Sequence, residues 1–161
     1  MRMKELQTTL LDCGTWLRAR DADPRARAIF HRHYSRYVYK DRRQPKKFVG
    51  PGEHIVLLSP SCDALFVWRK FIDKSGQTGV NCAIFRNESR RLSSEMILDA
   101  EEWAWKRWPG SRLYTYVNPQ RIRSTNPGYC FLKANWQRVG ATKKRKYLIF
   151  EKLPSQLLTE C

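Results

Sequence analysis

Acidic residues are scarce in this chain. Fifteen Asp and Glu stand against 31 Lys and Arg, for a formal charge of +16. A surplus of that size points to a polyanionic partner, and nucleic acid is the commonest polyanion in a cell. Long apolar runs are also lacking. None approaches the roughly 18 residues that span a bilayer, so no membrane partner is expected. The first ten residues carry Arg2, Lys4 and Glu5 and no secretory apolar stretch. Paired cysteines are missing as well. Cys13, Cys62, Cys82, Cys130 and Cys161 are scattered, with no C-x-x-C. That speaks against the usual structural zinc and fits reduced thiols in a cytoplasm. Repeats and low-complexity linkers are absent, so residues 1–161 read as one domain, with 1–20 as a leading extension or strand.

What is present is core material: 42% apolar and 12% aromatic residues, enough to exclude intrinsic disorder. Asp23 before Pro24 reads as an N-cap and first-turn proline, opening a helix to about His33. The stretch 40–52, with Pro45, Pro51 and many cations, reads as an exposed loop. Strand patterns follow at His54 to Leu58, Ala64 to Ile72 and Val80 to Phe85, joined by short gaps that favour an antiparallel meander. Leu92, Met96, Ala100, Trp103 and Ala104 then recur at helical spacing, with Ser93 or Ser94 as cap and Pro109-Gly110 as stop. Leu113 to Val117 is a strand. Asn126-Pro127 opens a short helix to about Ala134, and Trp136 to Gly140 with Tyr147 to Phe150 form a closing hairpin. The expectation is a mixed, largely antiparallel α/β sheet with flanking helices. Between Pro24 and Glu151 this element order resembles the GCN5-related N-acetyltransferase fold.

Three segments carry candidate chemistry. The first, Phe85 to Ser94, joins a strand to the long helix. A helix N-terminus with Arg90, Arg91, Ser93 and Ser94 suits a phosphate-bearing cofactor, and simple capping by Ser93 is the structural alternative. Acetyltransferases bind the coenzyme A pyrophosphate on such a loop, with glycines that this chain lacks. The second is His31-Arg32-His33-Tyr34-Ser35, where His33 and Tyr34 offer a general base, a phenolic donor or ligands for a hard metal, iron among the candidates. A histidine simply favouring a helix C-terminus is the alternative. The third runs from Tyr114 to Phe131. Asn118 ends a strand where sheets of this type hold ligands, and Tyr129 falls where acetyltransferases often keep a general-acid tyrosine. Turn chemistry for Asn118 and packing for Tyr129 are the alternatives.

Cations cluster near these segments. Between Arg32 and Lys47 there are seven basic residues and one acid. Arg42, Arg43, Lys46 and Lys47, then Arg121 and Arg123, then the unbroken run Lys143, Lys144, Arg145 and Lys146, are candidate phosphate contacts. Trp68 or Tyr39 could stack on a base extruded from the duplex.

His33-Tyr34-Ser35, Arg91-Leu92-Ser93-Ser94 and Tyr116-Val117-Asn118-Pro119 together resemble the Mom family of phage DNA-modification proteins. That resemblance implies an acetyltransferase-like fold and adenine modification that shields phage DNA from restriction. It implies a metal-linked pair at His33 and Tyr34 and functional polar positions near Ser94 and Asn118. The partner would be DNA in the host cytoplasm. The transferred group stays open, with acyl-CoA or a related donor as its source, and so does the oligomeric state, a dimer among the options. Two other readings stand beside it: an acyl-CoA-dependent N-acyltransferase for another amine, and a non-catalytic nucleic-acid-binding module.

Overall fold

The computed structural model describes residues 15–33, 40–43, 45–72, 76–122 and 125–155. Asp23 caps the first helix α1 (Pro24–Phe30), its Oδ1 accepting the Arg25 N–H at 2.9 Å. The helix stops three residues short of the expected His33. Arg32 and His33 instead donate to the Ile29 and Phe30 carbonyls, the tighter i→i+3 pattern of a terminating turn.

Among the described residues, seven strands build one sheet: β1 (Leu17–Ala19), β2 (Glu53–Leu58), β3 (Ala64–Lys70), β4 (Val80–Asn87), β5 (Leu113–Val117), β6 (Gln137–Ala141) and β7 (Leu148–Lys152). Their order is β1-β2-β3-β4-β5-β7-β6. β2, β3 and β4 pair antiparallel, as the short gaps predict. The long helix α2 (Ser93–Arg107) crosses over and returns the chain as β5, parallel to β4. After the short helix α3 (Tyr129–Lys133), the β6–β7 hairpin adds to β5 through β7.

Both faces of the sheet are covered. On one, α2 and α3 enclose Trp16, Phe66, Trp68, Ile97, Trp136 and Phe150. On the other, Ala26, Ile29 and Phe30 of α1 meet Val56, Val67 and Ile84. Each such large apolar side chain contributes about 1.5–3 kcal/mol on burial. Trp16, just before β1, is fully buried and donates its indole N–H to the Met96 carbonyl at 2.9 Å. This ties the leading segment to α2, so β1 is an integral strand. Trp68 is fully buried too and donates to the Ala100 carbonyl at 2.8 Å. It is a core residue, which corrects its reading as a base-stacking platform. Burial removes it because the sheet is sandwiched, so strand alternation selects which layer a side chain joins and exposes neither.

A buried carboxylate locks the far side. Glu101 of α2 accepts the Trp136 indole N–H at 2.7 Å and both oxygens take Lys152 Nζ, at 3.0 and 2.8 Å. Lys152 also donates to the Ala134 carbonyl at 2.9 Å, fixing the end of α3 to β7.

Candidate active site

β4 and β5 pair over three rungs only, Val80↔Leu113, Asn81↔Tyr114 and Cys82↔Thr115. Thr115 Oγ1 donates to the Cys82 carbonyl at 3.0 Å on the last of them. There the β3–β4 register shifts: Trp68 faces Cys82, Val67 faces Ile84, and Ala83 has no register partner on β3. A bulge bends its strand. β4 continues to Asn87 and β5 to Val117 without pairing again, and a cleft of about 220 Å³ opens between them. Cys82, Ala83 and Thr115 line it.

His33 and Tyr129 also line this cleft. His33 arrives from the α1 layer and is 7% exposed. Its imidazole hydrogen-bonds the Phe85 backbone, yet burial and the Arg86 guanidinium hold its pKa down to about 4. At neutral pH the ring is uncharged. Tyr129 arrives from the first turn of α3 and is half exposed, with Lys133 Nζ 5.7 Å from its ring centre. Gly128 makes that placement possible. Its φ is +84°, and a Cβ there would overlap the Phe150 ring. The Cys82 and Cys130 thiols line the same cleft, and burial pushes both upward, so neither is a thiolate at neutral pH.

Beside the cleft, Glu88 binds two arginines. Arg32 donates to it through Nε at 2.7 Å and a terminal nitrogen at 2.6 Å, and Arg86 Nε donates at 2.7 Å. Those hydrogen bonds, Arg32 first, pull the Glu88 carboxyl down to about 2. The end of α1 is thereby pinned to the end of β4, one residue from His33. Sequence reading missed Arg32, Arg86, Glu88 and the two cleft thiols as parts of one site.

The remaining expected site residues lie elsewhere. Asn118 is not among the cleft-lining residues, and its Oδ1 accepts the Gln120 N–H at 3.1 Å in a turn. Arg90 and Arg91 lie in the β4–α2 turn and Ser93 and Ser94 begin α2, all outside the cleft lining. The cap of α2 is Leu92, with no side-chain hydrogen bond, which corrects the expected serine cap. Ser93 Oγ instead accepts from Asn87 Nδ2 at 3.0 Å, and the same Nδ2 donates to the Arg91 carbonyl at 2.8 Å. Asn87 thus shapes a turn that has no glycine. Arg42, Arg43, Lys46 and Lys47 are exposed, but Phe48 next to them stacks on Phe30 at 5.0 Å over the α1 layer. Arg121 follows the end of β5, and Lys143 to Lys146 form the β6–β7 turn. Tyr34, Tyr39 and Arg123 lie outside the described residues.

Among the described residues no group of three or more His, Cys, Asp or Glu side chains could hold a metal ion. Arg86 beside His33 also opposes a cation there. Tyr34, the other half of the expected metal-linked pair, lies outside the described residues. Among them, too, no helix is long and apolar enough to cross a membrane. No family model matches the chain, and no curated protein matches it.

Proposed function

We propose that the protein is a DNA base-modifying enzyme of the phage type, built on a GCN5-related N-acetyltransferase-like fold and acting on adenine. The observation that carries this reading is the cleft between the diverging parallel strands β4 and β5, with His33 and Tyr129 on its walls. The charge of +16 supplies the attraction to DNA. The residues within the cleft suit transfer to an amine. The uncharged His33 orients the exocyclic amine as its nitrogen bonds to the transferred carbon, and the proton that the amine loses passes to solvent at the open mouth of the cleft. The donor's bond to that carbon breaks in the same step, and the Tyr129 phenol gives its proton to the leaving group. Ala83, unpartnered on β3 at the bulge, lines the cleft with His33 and Tyr129. Adenine N6 is paired within the duplex, so the base enters extruded or from a single strand. Such a modification would mask DNA from restriction.

The donor side rests on α2. Its N-terminus carries no side-chain cap, and Arg90 and Arg91 are exposed beside it. A phosphate-bearing donor such as an acyl-CoA suits that end of the helix. The same observation supports a second reading, an acyl-CoA-dependent N-acyltransferase for another amine. Mass spectrometry of nucleosides from the DNA of cells making the protein separates the two. A modified deoxyadenosine supports the first reading. Unmodified DNA together with calorimetric binding of acetyl-CoA favours the second.

A further inference from the structure

The end of the sheet where the cleft opens also carries the β6–β7 turn. Leu148 of β7 pairs with Val117 of β5 on one side and with Ala141 of β6 on the other. Val117 itself lines the cleft. The turn at 142–147 therefore lies beside the cleft mouth.

The turn is fixed from within. Thr142 N–H donates to the Tyr147 carbonyl at 2.8 Å, and the Tyr147 N–H donates back to Thr142 Oγ1 at 3.0 Å. Lys146 N–H reaches the Thr142 carbonyl at 3.2 Å. Lys143, Lys144, Arg145 and Lys146 are all exposed on this frame. None takes part in an ion pair among the described residues. From Gln137 to Phe150 there are five basic residues and no acid. β6 is exposed at every residue, so this edge of the sheet is uncovered.

Two features distinguish this turn from a solvating surface loop. Four adjacent cations repel one another, and solubility is served as well by spreading them. Lys146 also adopts φ of +58°, a conformation that favours Gly or Asn. A cation is held where a neutral turn residue would be less strained.

We infer that the β6–β7 turn docks the phosphate backbone of a polynucleotide whose base enters the neighbouring cleft. The acceptor is then a base held in a strand, and a free nucleoside or nucleotide is a poor substrate. The identity of the base rests on the DNA-modification reading, whereas the phosphate contact does not.

The test is fluorescence anisotropy with labelled oligonucleotides of one sequence, single-stranded and duplex, across a salt series. The variant combines Lys143→Gln, Lys144→Gln, Arg145→Gln and Lys146→Asn. Asn suits the positive φ, so the melting temperature stays near that of the unaltered protein. The expected result is a log–log salt slope shallower by about 2 to 3, with affinity at moderate salt lower by about tenfold or more. Lys143→Gln with Lys144→Gln alone gives about half the change in slope. The oligonucleotide form that shows the larger change identifies whether duplex or single strand lies on the turn. Tyr129→Phe, tested alongside, keeps the salt slope, because a phenol pairs with no phosphate charge, so loss of modification is read separately from loss of docking. Equal slopes for variant and unaltered protein on both oligonucleotides overturn the inference, whether or not any base is modified. A slope change seen only with polyglutamate as the probe overturns it as well.

Discussion

Arg32 closes on Glu88 through two hydrogen bonds, at 2.7 and 2.6 Å, across 56 positions of sequence. Arg86 shares the same carboxylate. The pair joins α1 to β4 at the residue next to His33, so the position of the imidazole depends on a contact made outside the cleft. Glu88→Gln keeps the shape and removes the charge. Exposed ion pairs add little to stability, so the melting temperature should move by only a few degrees. Misplaced reacting groups are costly, so modification should fall by about tenfold or more. Thermal melts and nucleoside analysis of the same variant check this. A normal rate would show that the clamp is only a surface ion pair.

His33 makes stability depend on pH. Its folded pKa of about 4 lies below the ordinary 6.5, so the unfolded chain binds the proton more readily. Stability from this group is present above pH 6.5. It falls as the pH drops toward 4 and is flat below that. The span amounts to about 3 kcal/mol at most. Denaturant unfolding at several pH values should show the decline, and His33→Asn should flatten it over this window.

Gly128 admits no side chain. With φ of +84° and the Phe150 ring where a Cβ would stand, Gly128→Ala meets both backbone strain and overlap. A loss of about 1–3 kcal/mol is expected. Urea titration measures it, and a neutral result would mean that α3 moves freely over the sheet.

Asn118 and Tyr129 should now part company. Asn118 shapes a turn, which Asp or Gly also suits, so Asn118→Gly should keep near-normal stability and rate. Tyr129 lines the cleft half exposed, so Tyr129→Phe should leave the melting temperature unchanged while modification falls by about 10²-fold. Matching rates for the two variants would contradict this division.

The strands and the long helix were readable because their apolar periods are local. Leu113 to Val117 forms β5 as expected, and α2 follows the spacing from Met96 to Ala104. The site was legible only in part. His33 and Tyr129 stand out by residue type, and both reach the cleft. The bulge at Ala83 depends on register with β3, which no local pattern specifies. The Glu88 clamp joins residues far apart in sequence, and a short run of Arg, Asn and Glu looks like any polar turn. Trp68 looked available because alternation marks a face without showing whether another layer covers it. Residue type alone makes Ser93 or Ser94 a cap, whereas Asn87 recruits the Ser93 hydroxyl.

The central claim is that the β4–β5 cleft modifies a DNA base. The most direct measurement is the nucleoside mass spectrum of DNA from cells making the unaltered protein, His33→Asn or Tyr129→Phe at equal levels. The account predicts a mass-shifted deoxyadenosine with the unaltered protein and its near-complete loss in both variants, with all three proteins folded. An unchanged nucleoside profile with the unaltered protein, or equal modification in all three, would contradict it.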